Sequence, residues 1–257
     1  MQRSSVRSAR IHRVAIGVLS RQQTVKSGVV GVVQSVGSGQ TNNLASAIFS
    51  SVAGTSFGAS AGSVSVGSCI VNETASGGNS TSTPLDAGSL SVTVPGGASY
   101  PLKSPIKGVY DTSLPPGAIT PAGGTYTFLG SGGADVGAFT AAVNLSNPLL
   151  KRTNQSAAAT INRSQGLQVT WTGGPPRSLV IIQGQSRGTN GVTGSYACFV
   201  QQSALQFTVP AYVTGTLPAG TGTTMVENDS FSAFSAPGLD YAAADGITAS
   251  SVNTSFQ

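Results

Sequence analysis

The sequence predicts an all-β protein, two Ig-like β-sandwich domains preceded by an N-terminal extension. Three observations carry that prediction. Only 8% of the 257 residues are charged while 39% are hydrophobic. The solvent faces must therefore be built from Ser, Thr, Gly, Asn and Gln, which suit exposed strands and turns. The 34 glycines and 13 prolines break the chain often, as many short strands require. Between those breaks apolar residues alternate in short runs, and no segment of eleven or more residues carries a convincing helical stripe.

Residues 1–43 form the extension. Residues 1–26 contain Arg3, Arg7, Arg10, Arg13, Arg21 and Lys26 and no acid. An export signal begins this way, but the apolar run Val14–Leu19 ends after six residues at Ser20-Arg21, short of the roughly 7–15 of a signal core. A membrane-spanning helix needs about 20 apolar residues, and nothing in the chain supplies them. Residues 25–36 are rich in β-branched valine, notably Val29, Val30, Val32, Val33 and Val36. An isolated strand of this kind is not stable alone. Three fates are open to it: to complete this chain's own sheet, to be donated to a neighbour's sheet, or to be the remnant of an export segment.

The first sandwich is expected over 44–146. Leu44–Val52 fits either two helical turns or a strand. Val64-Ser65-Val66 leads into Cys69-Ile70-Val71. Leu90, Val92 and Val94 share one face of a strand that Pro95-Gly96-Gly97 ends. Tyr126–Leu129 is a strand closed by Gly130-Ser131-Gly132-Gly133, and Phe139–Leu145 one closed by Asn147-Pro148. The second sandwich is expected over 147–257. Ala157–Ile161 and Leu167–Thr172 read as strands, the latter with Leu167, Val169 and Trp171 on one face. Leu179–Ile182 is a continuous apolar run, as in a central strand. Tyr196–Val200 and Gln206–Val209 have hairpin-like spacing, Pro218–Gly222 reads as a loop, and Thr223–Val226, Phe231–Phe234 and Ile247–Phe256 complete the set.

The ordered series Gly132-Gly133-Ala134-Asp135-Val136-Gly137, Ile161-Asn162-Arg163-Ser164-Gln165-Gly166-Leu167, Val169-Thr170-Trp171-Thr172-Gly173-Gly174, Phe207-Thr208-Val209-Pro210 and Pro237-Gly238-Leu239-Asp240-Tyr241 resembles uncharacterised exported β-sandwich proteins abundant in soil acidobacteria. The resemblance covers roughly residues 44–257. It implies an extracellular or cell-surface location and carries over no catalytic residue. The chain departs from it at its start, where a fuller signal peptide is expected.

Candidate chemistry is sparse. The sole histidine, His12, lies in the basic tail, so no Ser/His/Asp arrangement is expected. The eight acids mostly adjoin Gly, Pro, Ser or Thr, where a carboxylate caps a turn. Asp135 and the pair Glu227 and Asp229 offer oxygen for calcium, but the structural role is the expectation, as it is for Trp171 against sugar stacking. Tyr196 and Tyr212 are weaker surface candidates. Neither a metal nor a cofactor is expected. Cys69 and Cys198 form either a long-range disulfide in an oxidising compartment or two buried thiols. The charge of +5 sits in the tail, so no basic stripe marks a nucleic-acid site. The expectation is a non-enzymatic structural or adhesive surface protein that self-associates or binds other surface proteins, in its sharper form a filament subunit assembled by donation of the 25–36 strand. The alternative is a polysaccharide-binding module of the envelope or matrix.

Overall fold

The computed structural model describes residues 24–37, 39–53, 63–74, 82–145, 147–189 and 191–257. Their strands are β1 (Thr24–Gly37), β2 (Gln40–Ala53), β3 (Ser63–Val66), β4 (Cys69–Thr74), β5 (Ser82–Pro84), β6 (Leu90–Thr93), β7 (Ser99–Ile106), β8 (Val109–Ser113), β9 (Gly124–Gly130) and β10 (Phe139–Leu145). They continue with β11 (Lys151–Arg152), β12 (Thr160–Ile161), β13 (Leu167–Thr172), β14 (Leu179–Gly188), β15 (Thr193–Gln201), β16 (Gln206–Val209), β17 (Gly220–Ala233) and β18 (Tyr241–Phe256). The one α-helix among the described residues is a single turn, Ala211–Thr214. The chain is all-β. No described helix is long and apolar enough to cross a membrane.

One hydrogen-bonded order runs through most of the molecule: β10-β9-β6-β7-β8-β2-β1-β18-β17-β14-β15-β4-β3. At its centre the Val-rich strand β1 pairs antiparallel with β2, from Thr24↔Ala53 to Gly37↔Gln40, and parallel with β18, from Ser27↔Tyr241 to Gly37↔Ser251. Of the three fates open to this segment, the structure displays the first, completion of its own sheet. Alternation decides its sides. Val30 and Val32 are fully buried, while Val29 stays 40% exposed on the opposite face. Gly39, with φ +75°, supplies the left-handed conformation that a short hairpin turn into β2 demands.

Two apolar clusters lie against one face of this sheet. In the first, the β6-β9-β10 end curls back over β1, β2 and β18, so Val92, Phe128 and Val143 join Val30, Ala47, Phe49 and Ala244. The register shift between Lys103 and Ile106, where β7 meets β8, falls where the sheet changes direction. Gly28 is required here: a Cβ would come within 2.6 Å of the Phe49 ring. In the second cluster, the separate β11-β13-β16 sheet covers β14, β15 and β17, packing Val169 and Trp171 with Tyr196, Ile182 and Val226. The Trp171 indole N–H donates to the Gln202 carbonyl at 3.0 Å.

The two clusters fall on either side of Asn147-Pro148, but chain segments cross that line in both directions. Cys69 and Val71 pack in the second cluster, while Ala236 and Ala244 pack in the first. Pairing, not sequence proximity, decides this: β4 runs beside β15, and β18 contributes to both clusters.

Several local expectations change. Leu44–Val52 is strand. Ala157–Ile161 is not: a 3-10 turn at Gln155–Ala158 precedes a two-residue strand, because the Asn154 side chain bonds both Gln168 O and Thr170 N on β13 and turns the chain there. β15 and β16 do not form a hairpin. Leu205, at φ 57°, redirects the chain so that β16 pairs with β13 in the other sheet. The loop expected at Pro218–Gly222 ends early, since β17 begins at Gly220.

Candidate functional site

The face of the long sheet opposite the two cores carries the molecule's most distinctive surface. Directly paired residues share a face, and the registers Val29↔Ile48, Ile181↔Phe199, Ile181↔Glu227 and Phe231↔Asp245 place these side chains together. Large apolar groups stand exposed along it, including Val29, Leu44, Ile48, Leu179, Phe199, Phe231 and Tyr241, with Phe231 60% exposed and Leu44 37%. The Phe231 and Tyr241 rings stack at 6.5 Å with planes 19° apart. A groove of ≈ 540 Å³ beside Tyr241 is lined by Val25, Ser27, Val29 and Val52 at the start of β1.

Three carboxyl groups sit in this apolar surround. Glu227 and Asp229 are alternate residues of β17, and Asp245 lies on β18 diagonally from Asp229. Glu227 is only 9% exposed and accepts a hydrogen bond from the Gln183 amide. Burial, followed by the Asp229 charge, pushes its pKa up to about 7. Burial and then Asp245 raise Asp229 to about 6, and burial raises Asp245 as well. One oxygen of Asp229 and one of Asp245 are sealed from solvent with no hydrogen-bond partner. Among the described residues the only ion pair is Lys107–Asp135, elsewhere. Residue 31 opposite Asp245 is glycine, and a Cβ there would lie 3.2 Å from the Asp245 carbonyl oxygen. These acids lie side by side on a sheet face. Among the described residues no group of three His, Cys, Asp or Glu is placed to hold a metal ion.

The remaining residues singled out by the sequence divide cleanly. Asp86 caps its own turn, whereas Asp135 reaches across to the backbone of a distant loop. Asp86 accepts from Gly88 N at 2.9 Å, which leads in holding its carboxyl below the ordinary value, and Asp135 accepts from Asp86 N at 2.8 Å with the same consequence. Lys107 lies 3.0 Å from Asp135. Glu227, Asp229 and Asp245 break the turn expectation, being mid-strand. The i, i+2 spacing of Glu227 and Asp229 was the available signal. Cys69 and Cys198 face each other on β4 and β15 and are joined as a disulfide spanning 129 residues. Trp171 is core, 2% exposed. Tyr212 is exposed, but Tyr196 is buried, its ring lying over Gly184 where a Cβ would clash. Val30 and Val32 of the Val-rich segment face the core, Val29 the open face, and Val33 and Val36 are intermediate or exposed. His12 lies outside the described residues.

Sequence reasoning missed Arg152. It is 4% exposed, its guanidinium nitrogens have no hydrogen-bond partner, and burial pushes its pKa down. It pairs across from Trp171, inside the second cluster.

No family model matches the chain, and no curated protein matches its sequence.

Proposed function

We propose that the chain is a non-catalytic structural or adhesive protein of the cell exterior, built as two Ig-like sandwich units that share a sheet, and that it associates with copies of itself through the exposed face of that sheet. The supporting observation is the row of exposed apolar groups on regular strands. Isolated exposed apolar residues are ordinary, but a contiguous set marks an interaction surface. Low charge on the folded body weakens repulsion between copies, and a long-range disulfide suits an oxidising exterior. Strand donation by residues 25–36 would require exchange of β1, which here is tied to β2 by a short turn and hydrogen-bonded on both edges. The face therefore supports association more directly than the strand.

The stacked Phe231 and Tyr241 favour one second reading, a platform for polysaccharide, since sugar rings stack on exposed aromatics. Co-sedimentation with insoluble cell-wall polysaccharides, beside electron microscopy of the protein alone, separates the two. Ordered assemblies without polysaccharide binding support the first reading. Polysaccharide binding by single particles that is lost in Phe231→Ala contradicts it and establishes the second.

A further inference from the structure

On the core side of the long sheet the two apolar clusters leave a gap between them. β1 and β18 bring Val36 and Ser250 to it, directly paired in register, and Pro121 and Leu149 face them across the gap. The cavity so formed holds ≈ 300 Å³, the size of a site for a small organic molecule.

Its unusual wall residue is Arg152. Alternation along β11 leaves Lys151 exposed and turns Arg152 inward, and both border the cavity. Arg152 is 4% exposed, and none of its three guanidinium nitrogens has a hydrogen-bond partner. A buried guanidinium is ordinarily paired with a carboxylate. Here the one ion pair among the described residues is Lys107–Asp135, elsewhere, and Glu227, Asp229 and Asp245 stand on the opposite face of the sheet. Among the described residues only Tyr196 acts on the Arg152 charge, and burial keeps that phenol neutral, its hydroxyl also without a partner. Thr248, two residues before Ser250 on β18 and paired in register with Gln34, holds a further buried hydroxyl with no partner. This side of the sheet offers positive charge and hydrogen-bond donors, and no described carboxylate.

We propose that the cavity binds a small monocarboxylate with a short apolar body, the carboxylate meeting the Arg152 guanidinium and the body lying along Val36, Pro121 and Leu149. Charge selects the class. A neutral ligand leaves the guanidinium unpaired, and a cation is repelled by Arg152 and Lys151. One guanidinium balances one negative charge, which favours a monocarboxylate over a phosphate dianion, and its planar fork gives a carboxylate two parallel hydrogen bonds. The nitrogens are sealed from solvent, so binding includes a rotation of the Arg152 side chain towards the cavity it borders. The site lies across the sheet from the association face and is independent of it.

A nuclear magnetic resonance titration of the full chain, disulfide intact, with sodium hexanoate tests this. The expected result is a saturable shift confined to the amides of Val36, Leu149, Arg152, Gln155 and Ser250, with a dissociation constant of about 1 mM or tighter. Hexanol, which has the same apolar body and no charge, should bind at least about tenfold more weakly. Hexylammonium and inorganic phosphate should leave these amides unmoved. Arg152→Met, which keeps the bulk and removes the charge, should weaken hexanoate binding about tenfold or more. If that variant fails to fold, the comparison of hexanoate with hexanol and hexylammonium on the wild-type chain decides alone. No saturable shift with hexanoate overturns the inference and leaves Arg152 a structural residue. Hexanol binding as tightly as hexanoate, phosphate binding more tightly than hexanoate, or hexanoate binding undiminished in Arg152→Met also overturns it.

Discussion

Trp171 shows how a single residue can be read correctly from its neighbours. Its alternation with Leu167 and Val169 placed it in a core, and it is 2% exposed there. Trp171→Phe leaves the buried Gln202 carbonyl without its donor and is expected to cost about 1–2 kcal/mol, whereas Trp171→Ala adds a cavity and should cost about 3–5 kcal/mol; chemical denaturation measures both. The carboxylates were less legible, because an acid's neighbours in sequence cannot reveal that two further strands flank it. The sign of the pH effect at Glu227 follows from its burial. Glu227 has an ordinary value of 4.5 and is raised to about 7 when folded. The folded chain thus holds a proton that the unfolded chain has released. Stability should therefore be greatest near the lower value and fall as pH rises through about 7, by about 1–2 kcal/mol after allowance for partial solvation. Thermal unfolding from pH 5 to 8 checks this, and adding Glu227→Gln should flatten the slope.

At the scale of elements, strands bounded by Gly and Pro were legible and their partners were not. Leu90–Val94, Tyr126–Leu129 and Phe139–Leu145 carry a period-2 pattern and turn residues that declare them. The long strands β17 and β18 were seen only as fragments, since Glu227, Asn228 and Asp229 or Ser250 and Ser251 interrupt an apolar pattern without breaking a strand. The hairpin expected from Tyr196–Val209 failed because spacing alone cannot sense the left-handed residue Leu205. Register in β1 is testable at adjacent positions. Val30→Asn puts an unpaired amide into the first core and should cost about 2–4 kcal/mol, while Val29→Asn, on the opposite face, should stay within about 0.5 kcal/mol. The disulfide ties β4 to β15 across 129 residues. Replacing Cys69 and Cys198 together by Ser should lower stability by about 2–5 kcal/mol in denaturation experiments.

On the scale of the whole molecule, the sequence pointed to two units divided at Asn147-Pro148, whereas the two apolar clusters each draw residues from both sides of that line. What it hid is the continuity between them: β1 and β18, from opposite ends of the chain, pair in parallel at the centre of one sheet. That pairing generates the extended open face, because strands from both halves of the chain contribute to a single surface. The tail's charge was legible from the start, but the acidic cluster was not, since Glu227, Asp229 and Asp245 converge only in the folded sheet. The account rests on that face being an association surface, and sedimentation velocity across a wide concentration range tests it most directly. Wild-type chain should sediment faster as concentration rises, and Ile48→Lys combined with Phe231→Lys, both exposed and outside the cores, should weaken association at least about tenfold with an unchanged circular dichroism spectrum. A wild-type chain that remains monomeric throughout, or a double variant that associates as strongly as wild type, would contradict it.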